Sequence, residues 1–139
     1  MRIDRNVKLG YHFMVKNETL GYLGLCMDRR FIEATRQAFQ QKTGLGDTAF
    51  WQESWPGGAA VAHDEVGENY AYTHGARIFG WQAHGDTCGG QPGVANEDIQ
   101  QRLDVMIARK VEKFPDAAHY RIFVTEGVVS IREITSGGK

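Results

Sequence analysis

Leu20-Gly21-Tyr22-Leu23-Gly24-Leu25 is a short apolar run with no polar residue alternating through it. A strand wetted on one face alternates apolar and polar residues. An unbroken run suits a strand buried on both faces, as in a parallel sheet covered by helices. The run ends at Cys26-Met27-Asp28, and a helical spacing follows. Phe31, Ile32, Thr35, Ala38 and Phe39 recur at three- and four-residue intervals, and Gly44 is placed to stop the helix.

Outward from this unit the alternation repeats. Residues 48 to 55 are aromatic-rich and strand-like until Pro56-Gly57-Gly58 breaks them. Residues 59 to 72 predict a second helix, weakened by Gly67. Residues 76 to 83, with Ile78, Phe79 and Trp81, predict a strand that runs straight into His84. A Gly-rich loop leads to Asn96, which is placed to cap a third helix. Along that helix Ile99, Leu103, Met106, Ile107, Val111 and Phe114 line one face before Pro115 ends it. Residues 120–125 and 128–134, parted by Glu126-Gly127, predict a closing hairpin. The expected architecture is α/β, a mostly parallel central sheet flanked by helices.

The length, 139 residues, suits one domain, with residues 1–19 as an N-terminal arm and 135–139 as a flexible tail. Sixteen basic against seventeen acidic residues, with no Lys/Arg run, argue against a nucleic-acid binder that neutralises phosphates. No apolar run approaches the ~20 residues of a membrane span. The first residues, Met1-Arg2-Ile3-Asp4-Arg5-Asn6, lack a signal peptide's apolar core, so a cytoplasmic protein is expected. Seventeen glycines stand mostly at the ends of apolar runs, where chain reversals or close backbone approaches occur.

The two cysteines hold equivalent places, each after a predicted buried strand and before a polar or Gly-rich loop. Open α/β sheets bind ligands at the carboxyl ends of their strands. If the strands ending at Cys26 and His84 are neighbours, Cys26, His84 and Cys88 converge. Two thiolates and an imidazole suit zinc, with a fourth position left for water. Free cysteines also serve as small buried hydrophobes, and packing into the core is the competing explanation.

Cys26-Met27-Asp28-Arg29-Arg30 contains Cys-x-Asp-x-Arg, and His84-Gly85-Asp86-Thr87-Cys88-Gly89-Gly90 is similar to His-x-x-Cys-Gly with one added residue. In order along the chain, these resemble the signature of the β-class carbonic anhydrases, most closely their compact branch. The resemblance extends over about residues 20 to 134, including Trp55-Pro56-Gly57-Gly58-Ala59 at the family's Gly-Gly turn. It implies a β-carbonic-anhydrase-like fold with zinc on Cys26, His84 and Cys88. Asp28 and Arg30 become the dyad beside the metal's open position, the Asp orienting the activated water and the Arg holding the Asp ionised. In some members that Asp itself closes the metal site. Carbon dioxide and bicarbonate are then the substrates, and a homodimer or higher homo-oligomer is implied, with residues 7–15 as a segment that embraces a partner.

The chain departs from the family in three ways. Three residues, not two, separate His84 from Cys88, and a bulge at Gly85 is the expected accommodation. Trp55-Pro56 stands where the family has an asparagine before its paired glycines. The segment between the second motif and the last helix is short. Three alternatives stay open: hydrolysis of carbonyl sulfide or carbon disulfide on the same site, a non-catalytic zinc protein, and a metal-free Cys26–Cys88 redox pair. Arg29 competes with Arg30 for Asp28. His63 and His74 are candidates for proton relay or for plain solvated or capping roles, and Phe50, Trp51 and Trp55 for a pocket wall, core or dimer contact.

Overall fold

The computed structural model describes residues 18–134; the proposed partner-embracing segment 7–15 and the tail lie outside them. Five strands form one sheet: β1 (Leu20–Cys26), β2 (Phe50–Trp55), β3 (Ala76–His84), β4 (Ala118–Thr125) and β5 (Val128–Ile134). Their order across the sheet is β2-β1-β3-β4-β5, with every pair parallel except the β4–β5 hairpin. Helices α1 (Ile32–Thr43), α2 (Val66–Thr73) and α3 (Asn96–Lys113) flank it. The α/β architecture expected from the alternation of apolar runs is present.

β1 lies inside the sheet between β2 and β3, and residues 21 to 26 are all buried. The two-residue pleat divides the core. Leu23 and Leu25 face α1 and pack with Phe39, Leu45 and Ile122, while Tyr22 and Cys26 join the opposite cluster with Trp81, Leu103 and Phe123. Gly80 lets α1 close down, because a Cβ there would meet the Phe39 ring at 2.6 Å. Gly44 ends α1 in the left-handed conformation, φ 79°, and donates its N–H to Gln40. α3 buries Ile99, Leu103 and Ile107 against β3, each worth about 1.5–3 kcal/mol of apolar transfer.

Two expectations need correction. Residues 59–72 are not one helix: a short 3-10 turn at Gly58–Ala60 gives way to extended chain at Val61, and α2 begins only at Val66. Asp64 restarts the helix by accepting the Val66 N–H at 2.7 Å, a local competition that asparagine and aspartate win over a continuous helix. Asn96 is not the cap of α3. Ala95 holds the cap position without a side-chain hydrogen bond, and Asn96 is the first helical residue, its carboxamide turned back toward residue 86. Gly67 has a reason beyond propensity, because a Cβ there would run into the Glu53 carboxylate. No helix among the described residues is long and apolar enough to cross a membrane.

Candidate metal centre

The β1–β3 register sets Gly24 beside Trp81, so these neighbouring strands end together, one at Cys26 and the other at His84. The pleat sends Cys26 to the α3 side. Gln82 turns to α1, where its Nε2 donates to Thr35 Oγ1 at 2.9 Å, and His84 lies against the Phe31 ring, 4.6 Å between centroids. The loop after β3 returns Cys88 to the same spot. The ligand atoms of Cys26, His84 and Cys88 lie within 4.8 Å of one another, and all three residues are buried.

Two measurements ask whether a metal fits. The sulfurs stand 4.0 Å apart. A disulfide needs about 2.05 Å, whereas a tetrahedral zinc with Zn–S bonds of ~2.3 Å sets its sulfurs about 3.8 Å apart. The spacing rules out a disulfide and is compatible both with two ligands of one metal and with a plain thiol–thiol contact. The histidine agrees: Nδ1 faces the Gly85 carbonyl at 2.7 Å, and a carbonyl only accepts, so Nδ1 carries the hydrogen. In the neutral imidazole the lone pair is then on Nε2, which is fully buried and has no hydrogen-bond partner among the described residues. A buried acceptor without a donor costs about 1–3 kcal/mol, and a metal ion would satisfy it.

Asp28 stands next to this cluster, its Oδ2 3.6 Å from His84 Nε2. Arg30, not Arg29, is its partner. Arg30 Nε donates to Oδ1 at 3.0 Å and Nη2 to Oδ2 at 2.7 Å, a two-pronged grip that fixes the carboxylate's plane. These bonds hold Asp28 down at about 2, so it is ionised throughout the neutral range. Arg30 also donates to the Thr87 carbonyl at 3.3 Å, tying the dyad to the Cys88 loop.

The backbone around Cys26 is unusually crowded. Its N–H donates to Gln82 Oε1 at 2.8 Å, a buried bond between adjacent strands. Gly58, at φ 58°, fits into the remaining space: a Cβ would collide with the Gln82 carbonyl and come 2.8 Å from Cys26 N. Gly90 is pressed against the Gly57 backbone in the same way. Because the obstructing atoms are main chain, Gly58→Ala cannot be relieved by a rotamer change. Urea unfolding of that variant should show a loss of about 2–4 kcal/mol; a loss below about 1 kcal/mol would mean that the strand ends yield easily.

The bulge expected at Gly85 is not what shapes the loop between His84 and Cys88, since Gly85 is not in the left-handed region. Asp86 and Thr87 take the left-handed conformation, φ 58° and 70°. Gly85 is needed for a different reason, since a Cβ there would strike the Asn96 carboxamide.

The remaining candidates divide. Phe50 belongs to the α1-side core, whereas Trp51 and Trp55 line a cleft of about 840 Å³ between β2 and α2. None of Cys26, His84 or Cys88 lines that cleft. His63 stacks on Trp55 at 4.3 Å, and both its nitrogens are engaged, Nδ1 with the Val61 carbonyl and Nε2 with Glu68. His74 caps α2, its Nδ1 2.8 Å from the Tyr70 carbonyl. A buried ionic cluster escaped the sequence reading: Lys110 Nζ donates to both oxygens of Glu68, at 2.9 and 2.7 Å, and to Glu65. Burial disfavours a charge on Glu68, but bonds from His63, Lys110 and Lys113 outweigh it and hold the acid at about 2. Compared with protein-family models, with curated proteins and with solved structures, the chain has no match.

Proposed function

We propose that the chain is a zinc-dependent, carbonic-anhydrase-like enzyme that reversibly hydrates carbon dioxide to bicarbonate. The observation that carries the reading is the unpartnered His84 Nε2 among two ligand-spaced sulfurs, with an ionised, arginine-gripped carboxylate at its side. Cys26, His84 and Cys88 would hold the ion, which when bound lowers the pKa of water to ~7 and so supplies a nucleophile at neutral pH. Asp28, fixed by Arg30, offers an acceptor-only oxygen that orients the attacking water's hydrogen. The bond from Arg30 to the Thr87 carbonyl holds the dyad against the loop that carries Cys88. A cytoplasmic homodimer or higher homo-oligomer completes the reading; a monomeric mass in solution would remove the oligomer.

The test is carbon dioxide hydration by the zinc-loaded chain, followed by stopped flow with a pH indicator. Wild type should exceed the buffer rate clearly. Arg30→Ala should keep its zinc and lose about 10- to 100-fold in kcat, the range for a group that orients a reactive one. A zinc-loaded wild type that never exceeds the buffer rate overturns the reading. The proximity of Asp28 Oδ2 to His84 Nε2 would then favour the second reading, a non-catalytic zinc protein in which Asp28 is the fourth ligand.

A further inference from the structure

The loop that joins His84 to Cys88 carries two consecutive non-glycine residues in the left-handed region, Asp86 and Thr87. Each such residue costs of order 1 kcal/mol or more and persists only where its surroundings fix it. The surroundings here come from three elements that are distant in sequence. Asp86 Oδ1 accepts the Thr125 hydroxyl at 3.0 Å, at the end of β4, and the Asn96 amide at 3.4 Å, at the start of α3. Asp86 Oδ2 accepts the Glu126 N–H in the β4–β5 turn. Asn96 Oδ1 in turn accepts the Asp86 N–H at 2.9 Å, and Asn96 Nδ2 reaches Thr125 Oγ1 at 3.4 Å. The loop is therefore clamped at Asp86 to all three elements on its far side. On its near side the next carbonyl, Thr87, receives Arg30.

We propose that Asp86, with Asn96 and Thr125, is a positioning residue of the metal centre: its clamp sets the left-handed turn that delivers Cys88 to Cys26 and His84 and presents the Thr87 carbonyl to Arg30. The inference rests on the zinc-site reading, and it accounts for the two left-handed residues of the loop. It also explains why Asn96 does not cap its own helix and why residue 85 is glycine: the carboxamide occupies the space that a Cβ would need.

Two variants separate the clamp from the conformation. Asp86→Gly adopts the left-handed turn freely but has no carboxylate. Asp86→Asn also tolerates the turn and keeps one acceptor oxygen for Thr125. Zinc affinity is measured by competition with a chromophoric chelator, and the cobalt-substituted protein's visible spectrum reports ligand geometry. Asp86→Gly should bind zinc about 10- to 100-fold more weakly and show weakened, shifted cobalt bands. The thermal midpoint of its metal-free form should fall by no more than about 5–10 °C, the effect of a few lost hydrogen bonds, and Asp86→Asn should recover most of the affinity. Zinc affinity within about twofold of wild type in Asp86→Gly would overturn the proposal, since such variants ordinarily lose ten-fold or more. Amide hydrogen exchange of the metal-free proteins tests the clamp even if wild type binds no metal. Residues 85–88 should exchange at least about ten-fold faster in Asp86→Gly, with the sheet unchanged. Equal exchange in that loop overturns the clamp, whereas a wild type that refuses zinc defeats the metal reading alone.

Discussion

Glu68→Gln should be the most damaging conservative substitution outside the metal centre, lowering stability by about 3–5 kcal/mol. Glu68 is fully buried and bonded to His63, Lys110 and Lys113, and Lys110 is itself 2% exposed. The amide keeps the volume but removes the charge. It leaves the Lys110 ammonium buried over the Trp81 ring, with only the half-exposed Glu65 as counter-ion. Removing both charges avoids that penalty, so Glu68→Leu combined with Lys110→Met should be markedly more stable than Glu68→Gln. The sign with pH follows from Glu68 being held at about 2 against an ordinary 4.5. Its contribution is complete above about 4.5 and is lost as pH falls through about 2, so the wild type should weaken over this window more steeply than Glu68→Gln. Urea unfolding at pH 7 and pH 3 measures both. A Glu68→Gln protein within about 1 kcal/mol of wild type at pH 7 would show that water reaches and screens the cluster.

Stripping zinc should have the second large effect. A ligand bound only by the folded state, at 1,000 times its dissociation constant, contributes about 4 kcal/mol. The contribution should show as a thermal midpoint about 10–20 °C lower after chelation under reducing conditions. The chain should nevertheless stay folded. The α1-side core, Leu23 with Phe39, contains neither cysteine, and the opposite core, which includes both, is filled mainly by large side chains such as Phe79 stacked on Phe114. Chelation that leaves the midpoint unmoved contradicts a site that belongs to the native state. Chelation that unfolds the chain would mean that the metal, not the two cores, holds the sheet together.

The sheet was legible in the sequence because its signals are local. An apolar run without alternation marked β1, and strict helical spacing marked α3. The convergence of Cys26, His84 and Cys88 was legible for a related reason: a strand that ends in a cysteine or histidine puts it at the sheet's carboxyl edge, where the neighbouring strand ends too. One misreading was local, and the others came from contacts between segments farther apart. Residues 59–72 carry helix-forming composition, but the chain is extended at Val61 and Asp64 captures the Val66 N–H two residues on, which divides them. Asn96 has the residue type of a cap, yet Asp86, ten residues earlier, captures its carboxamide. Lys110 and Glu68 are 42 residues apart, and each reads as an ordinary solvated charge on its own helix. Gln82 sits within an apolar strand, and only the sheet register shows that it serves the Cys26 N–H. Periodicity records which face a residue takes, not which partner waits there.

Zinc content per chain, measured by plasma mass spectrometry on protein purified under reducing conditions without added metal, tests the central claim most directly. The same measurement on His84→Ala completes it. The geometry predicts about one zinc per wild-type chain, the stoichiometry of a single tetrahedral site, and its loss in the variant, because Nε2 is the buried lone pair without a partner. A reduced wild type that holds no zinc and refuses it when offered would contradict the account, leaving Cys26 and Cys88 as two packed thiols.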